Sequence, residues 1–266
     1  MYKIGKNAGK KWMAAVTAAF VTVAAATGCG KTDKAGAEER KETNSITVAA
    51  SSDTGSMDPA GSIALTYLTY SVSALDELLT FDADGEIDYR AAESYEVNED
   101  STVWTFHLRE EAVWSDGTPV TSADFLNTMT RALDPKSGSG YANYLFPIRN
   151  AEAIYNGEME IGELGVETPD DDTLIFYLEK PCVYFLDLLR LPVYTPSCST
   201  YAKETGSGWD TDPKTSVSNG PFYLAEYVPE QYMTLKKNES YWNADEVSLD
   251  EITYRFFDSQ EAMLYA

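Results

Sequence analysis

A mixed α/β fold is what this chain of 266 residues predicts from residue 46 onward. Three observations lead there: short runs alternating apolar and polar residues, longer runs with apolar residues at helical spacing, and Asp-Gly, Gly-Pro and Asp-Pro pairs between them. Ile46-Thr-Val-Ala49 reads as a first strand, and turn formers follow from Asp53 to Pro59. Across Ile63 to Leu79 the residues Ile63, Tyr67, Tyr70, Leu75, Leu78 and Leu79 recur at mostly helical intervals, which predicts a helix. Phe81 to Ile87 is a hairpin candidate, since Asp84-Gly85 suits a turn that needs positive φ. Tyr95-Glu-Val97 and Val103 to Leu108 alternate as half-buried strands do, with the polar stretch Asn98 to Ser101 between them.

Residues 113–124 carry the most local information. They read as a strand, a tight Asp116-Gly117 turn, a bend set by Pro119 and a helix capped by Thr121, with Asp124 three residues on in the capping-box position. Phe125, Met129, Ala132 and Leu133 form one apolar stripe on that helix, which stops at Asp134-Pro135. Lys136 to Gly140 is then a loop, Ala151 to Asn156 a second helix, and Thr173 to Leu178 a strand. Asp170, Asp171 and Asp172 before it form a solvated turn. Pro181 suits the first turn of a helix carrying Val183, Phe185, Leu186, Leu188 and Leu189. Tyr201 to Pro213 is polar and turn-rich; Phe222 to Tyr227, Met233 to Lys237 and Ile252 to Phe257 are three further strands, and a helix begins after them. There is no internal repeat. Some 220 residues past the tether described next suggest more than one domain.

The beginning of the chain has a different character. Lys3, Lys6, Lys10 and Lys11 precede an uncharged run from Trp12 to Gly28, shorter than the roughly 20 apolar residues that span a bilayer. Its end, Ala26-Thr-Gly-Cys29, resembles a bacterial lipobox, although Ala26 stands where that pattern prefers leucine. The expectation is a lipoprotein signal peptide over 1–28, lipidation of Cys29 and a lipid-anchored location on the extracytoplasmic face of a bacterial membrane, with a plain signal peptide or an uncleaved anchor as the alternative. Residues 29–45, without an aromatic side chain, are expected to be a flexible tether. Cys182 and Cys198 then remain, and an exported chain could oxidise them to a disulfide; spacing alone leaves that open.

A formal net charge of -23 argues against nucleic-acid binding, which needs a basic footprint. The charge favours solubility or weak steering of cationic ligands, and the scatter of the acids along the chain favours the former. His107, the single histidine, lies in an alternating strand and reads as a sheet residue. The cysteines lack C-x-x-C spacing, and no phosphate loop or nucleophile elbow occurs, so no catalytic residue, metal site or cofactor is expected. Asp170 to Asp172 lack the spaced ligands and closing glutamate of a calcium loop.

Several longer motifs occur in a fixed order: Ser56-Met-Asp-Pro59, Trp104-Thr-Phe-His-Leu-Arg109, Trp114-Ser-Asp-Gly-Thr-Pro-Val-Thr121, Asp124-Phe125 and Arg131-Ala-Leu-Asp-Pro135. Tyr141-Ala-Asn-Tyr-Leu145, Leu164-Gly-Val166 with Asp171 to Leu174, Ser218-Asn-Gly-Pro-Phe222 and Asn238-Glu-Ser-Tyr-Trp242 continue the series. Together they resemble bacterial extracellular solute-binding protein family 5, most closely its oligopeptide-binding members that serve ABC importers. The resemblance implies a type II periplasmic-binding-protein-like fold of two lobes, with this chain supplying the first lobe and ending before the second. Residues 46–80 and 205–266 would form the lobe's core domain and 81–204 an inserted subdomain. It further implies a monomer that grips extended oligopeptides through their main chain, as an added strand does, and hands them to permease and ATPase subunits. Leu65, Thr66, Tyr67 and Tyr141 are the implied cleft residues, with core packing as the competing role for Leu65 and Tyr67. Trp114, Asp116 and Gly117 read as scaffold. Same-family receptors for nickel chelates, haem, oligosaccharides or signalling peptides are the nearest alternatives, and a surface hydrolase or adhesin the alternative from another class.

Overall fold

The computed structural model describes residues 43–51, 53, 55–61, 65–203 and 207–265, without the side chains of residues 65–68. The expected signal peptide, Cys29 and all but the last few residues of the expected tether lie outside the described residues. That tether ends earlier than its expected limit at 45. The Asn44 N–H donates to Asp250 Oδ2 at 2.8 Å, its side chain donates to the Ser248 carbonyl at 2.7 Å, and Ser45 already pairs with Glu251.

Two four-stranded sheets carry the fold. The first has the order β1-β10-β9-β8, from β1 (Ser45–Ser51), β8 (Phe222–Val228), β9 (Tyr232–Lys237) and β10 (Glu251–Phe257). β1 runs parallel to β10, and the other two pairings are antiparallel. The second sheet, order β4-β5-β7-β6, is antiparallel throughout and uses β4 (Ala92–Val97), β5 (Val103–Leu108), β6 (Val166–Asp170) and β7 (Thr173–Tyr177). Between them in sequence lies the hairpin β2 (Leu79–Phe81) and β3 (Ile87–Tyr89), turned by Gly85 at φ +82°. One continuous cluster of buried side chains underlies both sheets.

Alternation decides which side chains enter that cluster. In β5 Trp104, Phe106 and Leu108 point inward, as do Leu174 and Phe176 in β7. Phe106 meets Phe176 edge-on at 5.8 Å, Phe176 meets Phe185 at 5.3 Å, and Phe185 meets Tyr194 at 6.1 Å. Each such pair adds about 0.5–1.5 kcal/mol beyond area burial.

Helix α2 (Ser122–Leu133) buries Phe125, Met129, Ala132 and Leu133, the stripe seen in the sequence. Its start rests on the acidic turn: the Ser122 N–H donates to the Asp171 carbonyl at 2.8 Å and its hydroxyl to the Asp170 carbonyl at 2.6 Å. Asp124 is buried and does more than cap. Its carboxylate accepts from the Thr121 N–H at 3.0 Å, the Trp114 indole at 3.1 Å and the Ser199 N–H at 2.8 Å. Trp114, 1% exposed, is thereby pinned both by packing and by a charged acceptor. The turn before it is closed by Gly117 at φ +85°.

Three expectations need correction. α1 is Leu65–Ala74 and does not extend to Leu79. Its continuation is captured by Asn219, whose side chain accepts from the Asp76 N–H and donates to the Asp76 carbonyl, both at 3.0 Å. The helix expected after Pro181 shrinks to the single turn α4 (Phe185–Leu188), and Val183 is 100% exposed. Burying Phe185, Leu188 and Leu189 takes only that turn, so nothing draws Val183 inward. Cys182 and Cys198 are both buried free thiols, so the disulfide left open by the sequence is not formed. The strand β6 has no counterpart in the sequence reading. Helix α3 (Ala151–Tyr155) and the terminal α5 (Gln260–Leu264) complete the order.

Candidate functional site

The first turn of α1 contains Leu65, Thr66 and Tyr67, three of the four residues expected to face a ligand. Their side chains lie outside the described residues. Upstream of this turn, residues 56–58 are held by a set of hydrogen bonds. At residues 56–58 one carboxylate oxygen of Asp210 accepts from the Ser56 hydroxyl at 2.8 Å, the Met57 N–H at 2.6 Å and the Asp58 N–H at 3.0 Å. Asp58 in turn accepts from the Ala60 N–H at 3.0 Å. It also receives both terminal nitrogens of Arg131, at 2.5 and 2.9 Å. Asp58, Arg131 and Asp210 are all buried, and Arg131 Nη2 also donates to Ser197 Oγ at 2.8 Å.

This arrangement follows from burial. A carboxylate removed from water is costly unless its lone pairs are taken up by donors. Backbone N–H groups in a reversing chain and a planar guanidinium fork supply those donors in fixed directions. A void of about 10 Å³, room for one water molecule, lies alongside, lined by Met57, Trp209, Asp210 and Ser197 among others. Helix α1 is tied to the same region, because the Tyr70 hydroxyl lies 3.3 Å from Ser216 Oγ. Burial, the largest influence, pushes the Tyr70 hydroxyl up to about 12.

Tyr141, the fourth expected cleft residue, precedes a 3-10 turn at Ala142–Leu145. It is half-buried against the core, and its ring sits 5.6 Å from that of Tyr144. The described contacts of Tyr141 are thus packing contacts.

A separate depression of about 340 Å³ opens past the end of α1, lined by residues including Asp76, Glu77, Thr80, Arg90, Arg190 and Thr195. The Asp76 carboxylate accepts from the Tyr241 hydroxyl at 2.9 Å and the Trp242 indole at 3.0 Å. Arg109 lies 3.6 Å above the Trp242 ring and donates to the carbonyls of Tyr89, Arg90 and Ala92. Burial raises Asp76 above its ordinary range, and it raises Glu77 to about 7. Asn238, Tyr241 and Trp242 therefore act with Ser218-Asn-Gly-Pro221 as a joint between the sheets. The Ser115 N–H donates to the Ser218 carbonyl at 2.7 Å, and the Gly220 N–H to the Ala74 carbonyl at 3.0 Å. Sequence reasoning found these motifs but could not say that they meet. The two aspartates Asp58 and Asp210, 152 residues apart in the chain, gave no local signal of their joint role.

Among the described residues, no group of three or more His, Cys, Asp or Glu side chains is placed to hold a metal ion. None of the described helices is long and apolar enough to cross a membrane.

The architecture matches solved receptors. The substrate-binding domain of an oligopeptide ABC transporter from Bacillus anthracis strain Ames superposes with a TM-score of 0.76 at 37% identity, covering 80% of this chain and 41% of that one. OppA of Listeria monocytogenes bound to peptide gives a TM-score of 0.78 at 29% identity, covering 84% and 44%. The fold is accordingly that of the type II periplasmic binding proteins. Residues 86–266 match the family model of bacterial extracellular solute-binding proteins, family 5 Middle. The periplasmic oligopeptide-binding protein OppA of Escherichia coli K12 is 37% identical over 205 residues, 76% of this chain and 37% of that relative. This chain belongs to bacterial extracellular solute-binding protein family 5. It spans about two fifths of the length of the relatives it matches.

Proposed function

We propose that this chain is the first-lobe portion of a substrate-binding lipoprotein of an ABC importer, which captures extended oligopeptides outside the cell membrane and delivers them to a permease. The observation that carries this reading is the likeness to oligopeptide receptors across both sheets, at 37% identity to a periplasmic oligopeptide-binding protein. In this reading residues 46–80 and 205–266 form the lobe's core domain and 81–204 its inserted subdomain. The first turn of α1, with Leu65, Thr66 and Tyr67, lines the cleft, and Tyr141 borders it. Cys29 carries the lipid, and the receptor works as a monomer without a cofactor. Main-chain pairing supplies affinity that is indifferent to side chains, and ordered water adapts the pockets to whatever side chains arrive.

Calorimetry on the full-length receptor, titrated with unrelated three- to five-residue peptides, tests the assignment. Binding of several sequences with similar affinity is expected. Silence toward peptides combined with tight binding of a sugar, a bile acid or a metal chelate would overturn it.

A further inference from the structure

We propose that Asp210 is a positioning residue for ligand binding: it fixes residues 56–58, upstream of α1, and its own stretch of chain also holds the body of that helix. This inference rests on the peptide-receptor reading above. Its basis is the convergence of three donors from that segment on one oxygen of Asp210, at 2.6 to 3.0 Å. Two of the three are backbone N–H groups, so the carboxylate dictates the path of the chain and not merely the pose of a side chain. The segment is held on its other side by the Asp58–Arg131 ion pair, which originates in α2.

The stretch carrying Asp210 also reaches α1 itself through the Tyr70–Ser216 hydroxyl contact. One stretch of chain therefore holds both residues 56–58 and the body of α1. Receptors that use main-chain contacts depend on backbone placement within a fraction of an ångström, because each bond weakens steeply away from its preferred length and angle. Loss of the acceptor at 210 frees two buried N–H groups to seek other partners, and the segment shifts to provide them.

The experiment uses the full-length receptor with D210A and D210N, and with L235A as a control that destabilises the first sheet without touching segment 56–61. Tetraalanine affinity and amide hydrogen exchange are measured for each. D210A is expected to bind tetraalanine about ten-fold or more weakly, the size of losing charge-assisted hydrogen bonds. D210N, which keeps one acceptor oxygen, should recover part of that loss. Exchange should rise in peptides covering 56–70 but not in those covering β9 and β10. L235A, although less stable, should retain the parent's affinity in its folded fraction. If D210A binds like the parent, or if exchange rises evenly through the first sheet, the positioning role is wrong. If the parent itself binds no tetraalanine, the peptide reading falls and takes this assignment with it.

Discussion

Replacing Glu77 by glutamine isolates the energetic consequence of a carboxyl group held beside the charged depression. Burial is the main cause of its rise from 4.5 to about 7; Asp76 adds to the rise, and Arg90 and Arg190 oppose it. The folded chain therefore keeps this proton to higher pH than the unfolded chain does. Stability is at its full value below about pH 4.5 and declines as the pH climbs to about 7. At about 1.36 kcal/mol for each pH unit of that gap, the decline has an upper bound of about 3.4 kcal/mol. Glu77 is half-buried, and solvent screening reduces the expected value to about 1–2 kcal/mol. Glutamine has the same shape and does not titrate, so E77Q should outlast the parent in urea at about pH 8 and match it at about pH 4. The difference between the two stability–pH curves is the readout, since the carboxylates not coupled to Glu77 contribute equally to both. Parallel curves over the whole range would refute the reasoning.

Two more perturbations follow from the packing and a third from the sequence. G220A should cost roughly 2–4 kcal/mol in chemical unfolding, because a Cβ there would stand 2.6 Å from the Ala74 carbonyl carbon, which is backbone and cannot swing aside. D124A strips the acceptor from the Trp114 indole and from the N–H groups of Thr121 and Ser199. A loss of about 3 kcal/mol is expected, with a shift in tryptophan emission as the Trp114 pocket loosens; unaltered emission and stability would count against the hub. Substituting Cys29 by serine should move the protein from the detergent-requiring membrane fraction to the soluble fraction, and unchanged attachment would exclude lipidation there.

Local chemistry explains what could be read from the sequence. β5 and β7 alternate strictly, Gly85 and Gly117 occupy the positive-φ turns expected of them, and α2 begins and ends where Thr121 and Asp134-Pro135 direct. Where tertiary contacts outweighed local preference, the sequence misled. α1 looked longer because Leu75, Leu78 and Leu79 keep helical spacing, but Asn219 captures the Asp76 backbone from far along the chain. β6 went unseen because Val-Glu-Thr-Pro-Asp has no apolar alternation. Pro169 is tolerated there only because β6 is an edge strand, which needs no ladder bonds on its outer side. The segment Ser56-Met-Asp-Pro59 was legible as a motif ahead of a helix. Its support was not, since Asp58, Arg131 and Asp210 belong to separate segments and nothing short-range links them.

The parallel ladder that joins β1 to β10 has a consequence for how the molecule assembles. Ser45 must wait for Glu251, so β1 cannot dock until β10, far along the chain, has emerged. Closing so large a loop is entropically slow, whereas the neighbouring strands 92–108 can pair as they appear. Pulse-labelling during refolding should therefore find amides of β4 and β5 shielded well before those of β1. Meanwhile the backbone of residues 45–51 lacks its partner strand and depends on solvent for its hydrogen bonds.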